Sequence, residues 1–327
     1  MTADQGATVA MRPQKLRDRI LHGAAGMVPG AVARHLLFLL QTHPALADEW
    51  GYHIRPIHYY EPLPDFRAIS EARLRARREP PEIDFDLPAQ VALLERLGGA
   101  YRSEIQALAD DRSPSAFNFQ NEYFSGIDAA VYYALIRDLA PARVVEVGSG
   151  YSTRIAHKAL ERNRADGRGG ELTCIEPYPQ PRLTGAAIAM RLIQRRVEDI
   201  ELAEFRSLKA GDILFIDSSH AVKFGGDVCR EVLDILPRLN AGVWIHVHDI
   251  FFPHDYPAEW LIDRRLAFTE QYLIEAFLSG HSRFSVRLAT HWLCLDHPAA
   301  ADALCPPRLR PPGALGSGQS LWIQKTA

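Results

Sequence analysis

The stretch Arg143-Val-Val-Glu-Val-Gly-Ser-Gly-Tyr-Ser-Thr153 constrains the fold more than any other part of this chain. Val144, Val145 and Val147 form an apolar run that stops at Gly148-Ser-Gly150, and Arg154-Ile-Ala-His-Lys-Ala-Leu160 then takes helical spacing. That order predicts a buried parallel strand, a tight glycine turn and a helix whose N-terminus faces the turn. Gly148 and Gly150 have no Cβ, so they tolerate positive φ and let a ligand come close to the backbone. The dinucleotide fingerprint G-x-G-x-x-G asks for a third glycine and seats a pyrophosphate on the helix dipole. Thr153 stands at that third place, and Glu146 lies two residues before the first glycine. An acid beside the turn repels a pyrophosphate and attracts a cation.

S-adenosylmethionine, with its ammonium and sulfonium, meets that demand better than NAD. Ser149, Ser152 and Thr153 belong to the same candidate loop. Leu172-Thr-Cys-Ile-Glu176 is a second apolar strand ending in an acid, about one βαβ unit downstream. A carboxylate there can accept hydrogen bonds from a ribose diol; the plainer alternative is an acid facing solvent. A third strand, Arg191 to Arg195, leads to Val197-Glu-Asp199, where Asp199 either reaches an adenine amino group or caps the next helix.

The remainder of the chain permits this reading. A chain of 327 residues, 47% of them hydrophobic, can bury a full core as one large domain with an appendage, or as two domains. A net charge of −3 argues against a nucleic-acid binder. The basic run from Arg67 to Arg78, broken by Glu71, reads as a solvated helix face. Cys174, Cys229, Cys294 and Cys305 lack metal or disulfide spacing. The region after Met1 has no signal-peptide pattern, and Val32 to Leu40 is too short to span a bilayer. The expectation is a cytoplasmic protein with no membrane partner, for which a homo-oligomer is compatible.

Residues 1–115 alternate helical patterns with an aromatic, proline-rich patch from Tyr52 to Asp65 and predict an N-terminal extension, a lid or an oligomerisation element. Residues 116–327 predict the cofactor domain, a doubly wound, seven-stranded, mostly parallel α/β sheet. Its elements are an amphipathic helix from Asp128 to Leu139, the three strands above, and strands at Ile213–Asp217, Val243–His248, Phe284–Leu288 and Ser320–Gln324. A helix covers Phe268 to Leu278. His297 to Gln319, rich in Pro, Ala and Gly, reads as a long loop, so the last two strands are expected as an antiparallel hairpin at the sheet edge. Ligands of open α/β sheets sit beyond the carboxyl ends of the strands. Asp217, His220, His248 and Asp249 therefore converge on the edge that carries the Gly148 turn, where they can bind a metal or act as acid and base.

Glu146-Val-Gly-Ser-Gly150, Glu176 and the strand order resemble the class I S-adenosylmethionine-dependent methyltransferases. Ile216-Asp-Ser-Ser-His220 with His246-Val-His-Asp-Ile250 resembles a bacterial branch that acts on small molecules, over roughly residues 50 to 325. The resemblance implies Glu146, Gly148, Ser149 and Gly150 around the methionine part of the cofactor, and Glu176 on the ribose. Catechol O-methyltransferase and the macrolide-sugar O-methyltransferases are more distantly similar and bind magnesium. Their first metal-binding acid matches Asp217, and their second pair falls on His248 and Asp249. His220 stands where catechol O-methyltransferase has its catalytic lysine. An imidazole in place of a carboxylate favours iron, manganese or zinc over magnesium, or a metal-free His248–Asp249 dyad.

The expected reaction is displacement at the sulfonium methyl by a small-molecule hydroxyl or amine, with His220 as base beside Asp217. Tyr52 to Tyr60 and Asn118 to Phe124 are candidates for the acceptor lid, or else core packing. A metal-dependent, hydroxylase-like enzyme on the same fold is the chief alternative; an NAD-linked oxidoreductase and a non-catalytic binding module fit less well.

Overall fold

The computed structural model describes residues 29–113, 115–180, 188–313 and 317–327. Two compact units divide at Ile69/Ser70. The first unit holds helices α1 (Gly30–Thr42) and α2 (Pro44–Glu49), with Ala47 buried. Its aromatic patch is open: Tyr59 and Tyr60 are 92% and 85% exposed, and Arg55 pairs with Glu61 at 2.7 Å.

In the second unit seven strands run in the order β3-β2-β1-β4-β5-β7-β6. They are β1 (Arg143–Val147), β2 (Glu171–Ile175), β3 (Arg191–Ile193), β4 (Ile213–Ile216), β5 (Trp244–Val247), β6 (Phe284–Ala289) and β7 (Leu321–Lys325). The first five are parallel, and β7 lies between β5 and β6, antiparallel to both. Alternate residues of each strand feed two apolar layers. Val144, Phe215 and Trp322 enter one layer, and Val145, Ile216 and Ile323 the other. Burial on both faces is why these strands read as continuous apolar runs.

Several boundaries differ from the sequence reading. Helix α3 (Leu87–Asp110), expected in an N-terminal extension, belongs to the second unit and packs on α4 (Gly126–Leu139). Residues 126–137 of α4 are all buried, not amphipathic, because α3 covers the face turned away from the sheet. Arg137 is buried there with Glu104 at 2.9 Å and Asp166 at 2.6 Å as its counter-charges. The expected loop after His297 contains a helix. Between β6 and β7 stand α7 (Thr290–Asp296) and α8 (Pro298–Leu304). Pro298 takes the first helical position, and the alanines after it are the best helix formers, so a composition that reads as loop favours helix here. The basic run is not one helix face: Arg77 and Arg78 lie beyond the short helix Glu71–Leu74 and pair with Asp296 and Glu275. Among the described residues no helix is long and apolar enough to cross a membrane.

His246, on β5, is fully buried and stacks on Phe215 with ring centroids 4.0 Å apart and planes 4° from parallel. Neither of its ring nitrogens has a hydrogen-bond partner among the described residues. Burial pushes its pKa well below the ordinary value, so it is neutral. An enclosed imidazole without partners costs stability that a phenyl ring of similar shape does not. His246→Phe is expected to raise the melting temperature by a few degrees, on the order of 1 kcal/mol. A lowered melting temperature in calorimetry would mean that the ring is hydrogen-bonded in solution.

Candidate active site

The turn after β1 is shaped by its neighbours. Asp217 N–H donates to the Val147 carbonyl and Gly148 N–H to the Ile175 carbonyl, both at 3.0 Å, which seats the turn between β2 and β4. Gly148 has φ +87°, and a Cβ there would stand 2.1 Å from the Asp217 carbonyl oxygen. Gly150 differs: its φ of 177° is extended, and a Cβ would meet nothing within 4 Å. Helix α5 (Tyr151–Ala165) starts directly after it. Ser149 Oγ is buried with no partner among the described residues, and Ser152 is buried in the first turn of α5.

Glu146 does not face the open side of this turn. It is fully buried, and its Oε1 accepts from the Tyr132 hydroxyl at 2.9 Å. Its Oε2 accepts from the Thr153 hydroxyl at 2.6 Å, and Thr153 Oγ1 in turn accepts from Gly150 N–H at 3.0 Å. Burial pushes the Glu146 carboxyl up to about 7, opposed by the Thr153 and Tyr132 hydrogen bonds.

A cleft of about 450 Å³ opens at the carboxyl ends of the parallel strands, lined by Gly148, Glu176, Tyr178, Glu198, Asp217 and Lys223 among others. Glu176 Oε1 accepts from Tyr178 N–H at 2.8 Å, so the acid at the end of β2 turns along the cleft wall. Asp199, the expected adenine contact, is exposed and not part of this lining; nor does it cap the helix Leu202–Arg206, which starts at Glu201 without a side-chain cap. Its neighbour Glu198 faces the cleft instead, because Val197–Asp199 is a 3₁₀ turn that sends adjacent side chains apart. A second cavity of about 330 Å³ lies between residues 82–93 and β6 and holds none of these groups.

The acids and imidazoles at the ends of β4 and β5 do meet. His220 Nε2 lies 3.2 Å from Asp217 Oδ1 and 3.4 Å from Asp249 Oδ2. Its Nδ1 lies 2.8 Å from Glu270 Oε2, at the start of helix α6 (Glu270–Ser279). The N–H groups of Thr269 and Glu270 also bond the His220 carbonyl, holding the residue at φ +56°. Burial alone would lower the His220 pKa, but Asp249, Asp217 and Glu270 raise it well above its ordinary value. Withdrawal from water would raise Asp217, but His248 and His220 bring it down to about 2. Burial raises both Asp249 and Glu270.

The metal set read from the sequence is not assembled. His248 Nε2 comes no closer to Asp249 than 3.7 Å, and His220 Nε2 lies against both carboxylates that the ion was to join. Among the described residues no group of three or more His, Cys, Asp or Glu is placed to hold a metal.

Three contributors escaped sequence reasoning. Glu270 lies 50 residues from His220 and reaches it only through the fold. Lys223, whose Nζ is 3.1 Å from Ser219 Oγ, lines the cleft from a loop that carries no motif. Tyr132 sits within an apolar helix. Of the expected lid, Phe124 is core, packed on Tyr132, Phe215 and His248, while Asn121 ties residues 118–124 into a turn.

Residues 145–250 match the family model described as a methyltransferase domain. An uncharacterized protein of Archaeoglobus fulgidus is 29% identical over 170 residues, which cover 49% of this chain and 76% of that protein. Similar solved structures include the O-methyltransferase TomG from Streptomyces achromogenes, at 17% identity, covering 72% of this chain and 89% of that one, with a TM-score of 0.39. An O-methyltransferase from Bacillus cereus matches at 16% identity, 72% and 90% coverage and a TM-score of 0.37.

Proposed function

We propose that this chain, whose residues 145–250 match the family model of a methyltransferase domain, transfers the methyl group of S-adenosylmethionine to a hydroxyl or amine of a small molecule. One observation carries the reading: the Gly148 turn, Glu176 and Asp217 line a single cleft at the carboxyl ends of parallel strands. The open side of Gly150 and the unpartnered Ser149 hydroxyl suit the methionine part of the cofactor. Glu176, whose Oε2 takes no part in its bond to Tyr178, suits a ribose diol. Bound S-adenosylmethionine supplies a methyl group on a sulfonium, already a good leaving group, so the protein's main task is alignment.

In this reading His220 takes the acceptor's proton. Glu270 holds its Nδ1–H and turns Nε2 toward Asp217, which retains 33% side-chain exposure at the cleft. Its acidic neighbours raise its pKa, so it serves as base only after releasing a proton that they hold, and turnover is expected to rise with pH. Four unpaired cysteines support a reducing, cytoplasmic compartment. Incubation of the protein with S-adenosylmethionine and a pool of small hydroxylated and amino compounds tests the reading. Methylated product and S-adenosylhomocysteine in equal amounts are expected; oxidised product without S-adenosylhomocysteine would favour the hydroxylase-like alternative.

A further inference from the structure

We infer that Glu146 serves the cofactor turn from behind, through the Thr153 hydroxyl, and does not itself touch the cofactor; the inference rests on the methyltransferase reading above. Side chains of β1 alternate across the sheet. Val145 and Val147 enter one apolar layer, while Val144 enters the other with Tyr132 and Ile155, the layer that receives Glu146. Val147 and Gly148 reach the cleft, and Glu146 does not.

Both oxygens of its carboxylate also have protein donors. Tyr132 donates to Oε1 at 2.9 Å, Thr153 donates to Oε2 at 2.6 Å, and the Cys174 thiol stands 3.5 Å from Oε2. An ammonium could reach this fully buried carboxylate only by entering the core behind the turn. A backbone N–H can only donate, which sets the first link, and the Thr153 hydroxyl gives its single proton to the carboxylate. Gly150 N–H donates to Thr153 Oγ1, and Thr153 O–H donates to Glu146. That order holds the peptide of Gly150, the residue whose Cα faces open space. It also accounts for Thr153 where the dinucleotide fingerprint has glycine: the position links the turn to a buried acid, at the third residue of α5, where a side chain reaches back to the N-cap N–H. Glu146 and Thr153 are thus positioning residues for the cofactor.

Calorimetry with two probes tests this: S-adenosylhomocysteine, and its analogue lacking the α-amino group. Thr153→Val removes both links and should weaken S-adenosylhomocysteine binding roughly tenfold or more. Thr153→Ser, which keeps the hydroxyl, should restore affinity to near the wild-type value. Glu146→Gln should lose the same fold in affinity for both probes, because its effect passes through the turn. Wild-type affinity in Thr153→Val would overturn the inference. So would a Glu146→Gln penalty that disappears with the deaminated probe, since that is the signature of a direct contact with the ammonium. Thermal unfolding checks that each variant is folded; should Thr153→Val not fold, the two-probe comparison on Glu146→Gln decides alone. No binding of either probe by the wild-type protein would overturn the cofactor reading and the inference with it.

Discussion

Replacing His220 by asparagine is expected to lower turnover by roughly 10²–10⁴ while leaving affinity for S-adenosylhomocysteine close to wild type. His220 lies against Asp217, Asp249 and Glu270 beyond the carboxyl ends of β4 and β5, and it is not in the lining of the cleft that holds Gly148 and Glu176. Asparagine suits the test because it adopts the left-handed backbone, here φ +56°, more readily than alanine. The substitution also leaves buried carboxylates without their cation, so a lower melting temperature is expected too. Steady-state kinetics must therefore be run well below it. Glu270→Gln keeps the imidazole but loses the carboxylate that orients it, and should lower turnover by a smaller factor. Equal losses of turnover and cofactor affinity in the His220 variant would make the residue part of the cofactor pocket instead.

Gly148→Ala should be the most damaging single change in the cofactor turn, and Gly150→Ala should damage only binding. At Gly148 a Cβ would stand 2.1 Å from the Asp217 carbonyl oxygen, on a backbone at φ +87°. Relieving both requires β1 and β4 to part at their ends, at a cost on the order of 3 kcal/mol or more. The variant should unfold at a clearly lower temperature and bind no cofactor. At Gly150 the backbone is extended and the space beyond is open, so alanine should leave the melting temperature unchanged. Its methyl group would nevertheless occupy space assigned to the ligand, and calorimetry should find weaker S-adenosylhomocysteine binding. A destabilised Gly150→Ala would mean that the turn packs differently from the structure described here.

The sheet was legible because its strands are short apolar runs separated by glycine turns and acids, and every expected strand lies within two residues of its place. The acids at strand ends were legible for the same reason. Glu176 and Asp217 come where a run stops, and both line the cleft. The direction of a side chain was harder to read. Glu146 lies within a strand, so the alternation of that strand decides its side, and it faces Tyr132 and Thr153, away from the cleft. Glu198 lines the cleft and Asp199 does not, because one residue of shift on a 3₁₀ turn changes the face. The metal set failed for a different reason. Spacing placed His248 beside Asp249, but the left-handed backbone of His220 brings its ring against both carboxylates, and nothing local in the sequence marks that conformation. Glu270 completes the cluster from an element formed 50 residues later.

The most direct measurement is calorimetric titration of the wild-type chain with S-adenosylhomocysteine, with NAD titrated in parallel. The cleft formed by the Gly148 turn, Glu176 and Asp217 predicts saturable binding of S-adenosylhomocysteine at one site per chain and none of NAD. Folded protein that leaves S-adenosylhomocysteine unbound, or that binds NAD in its place, would contradict the account.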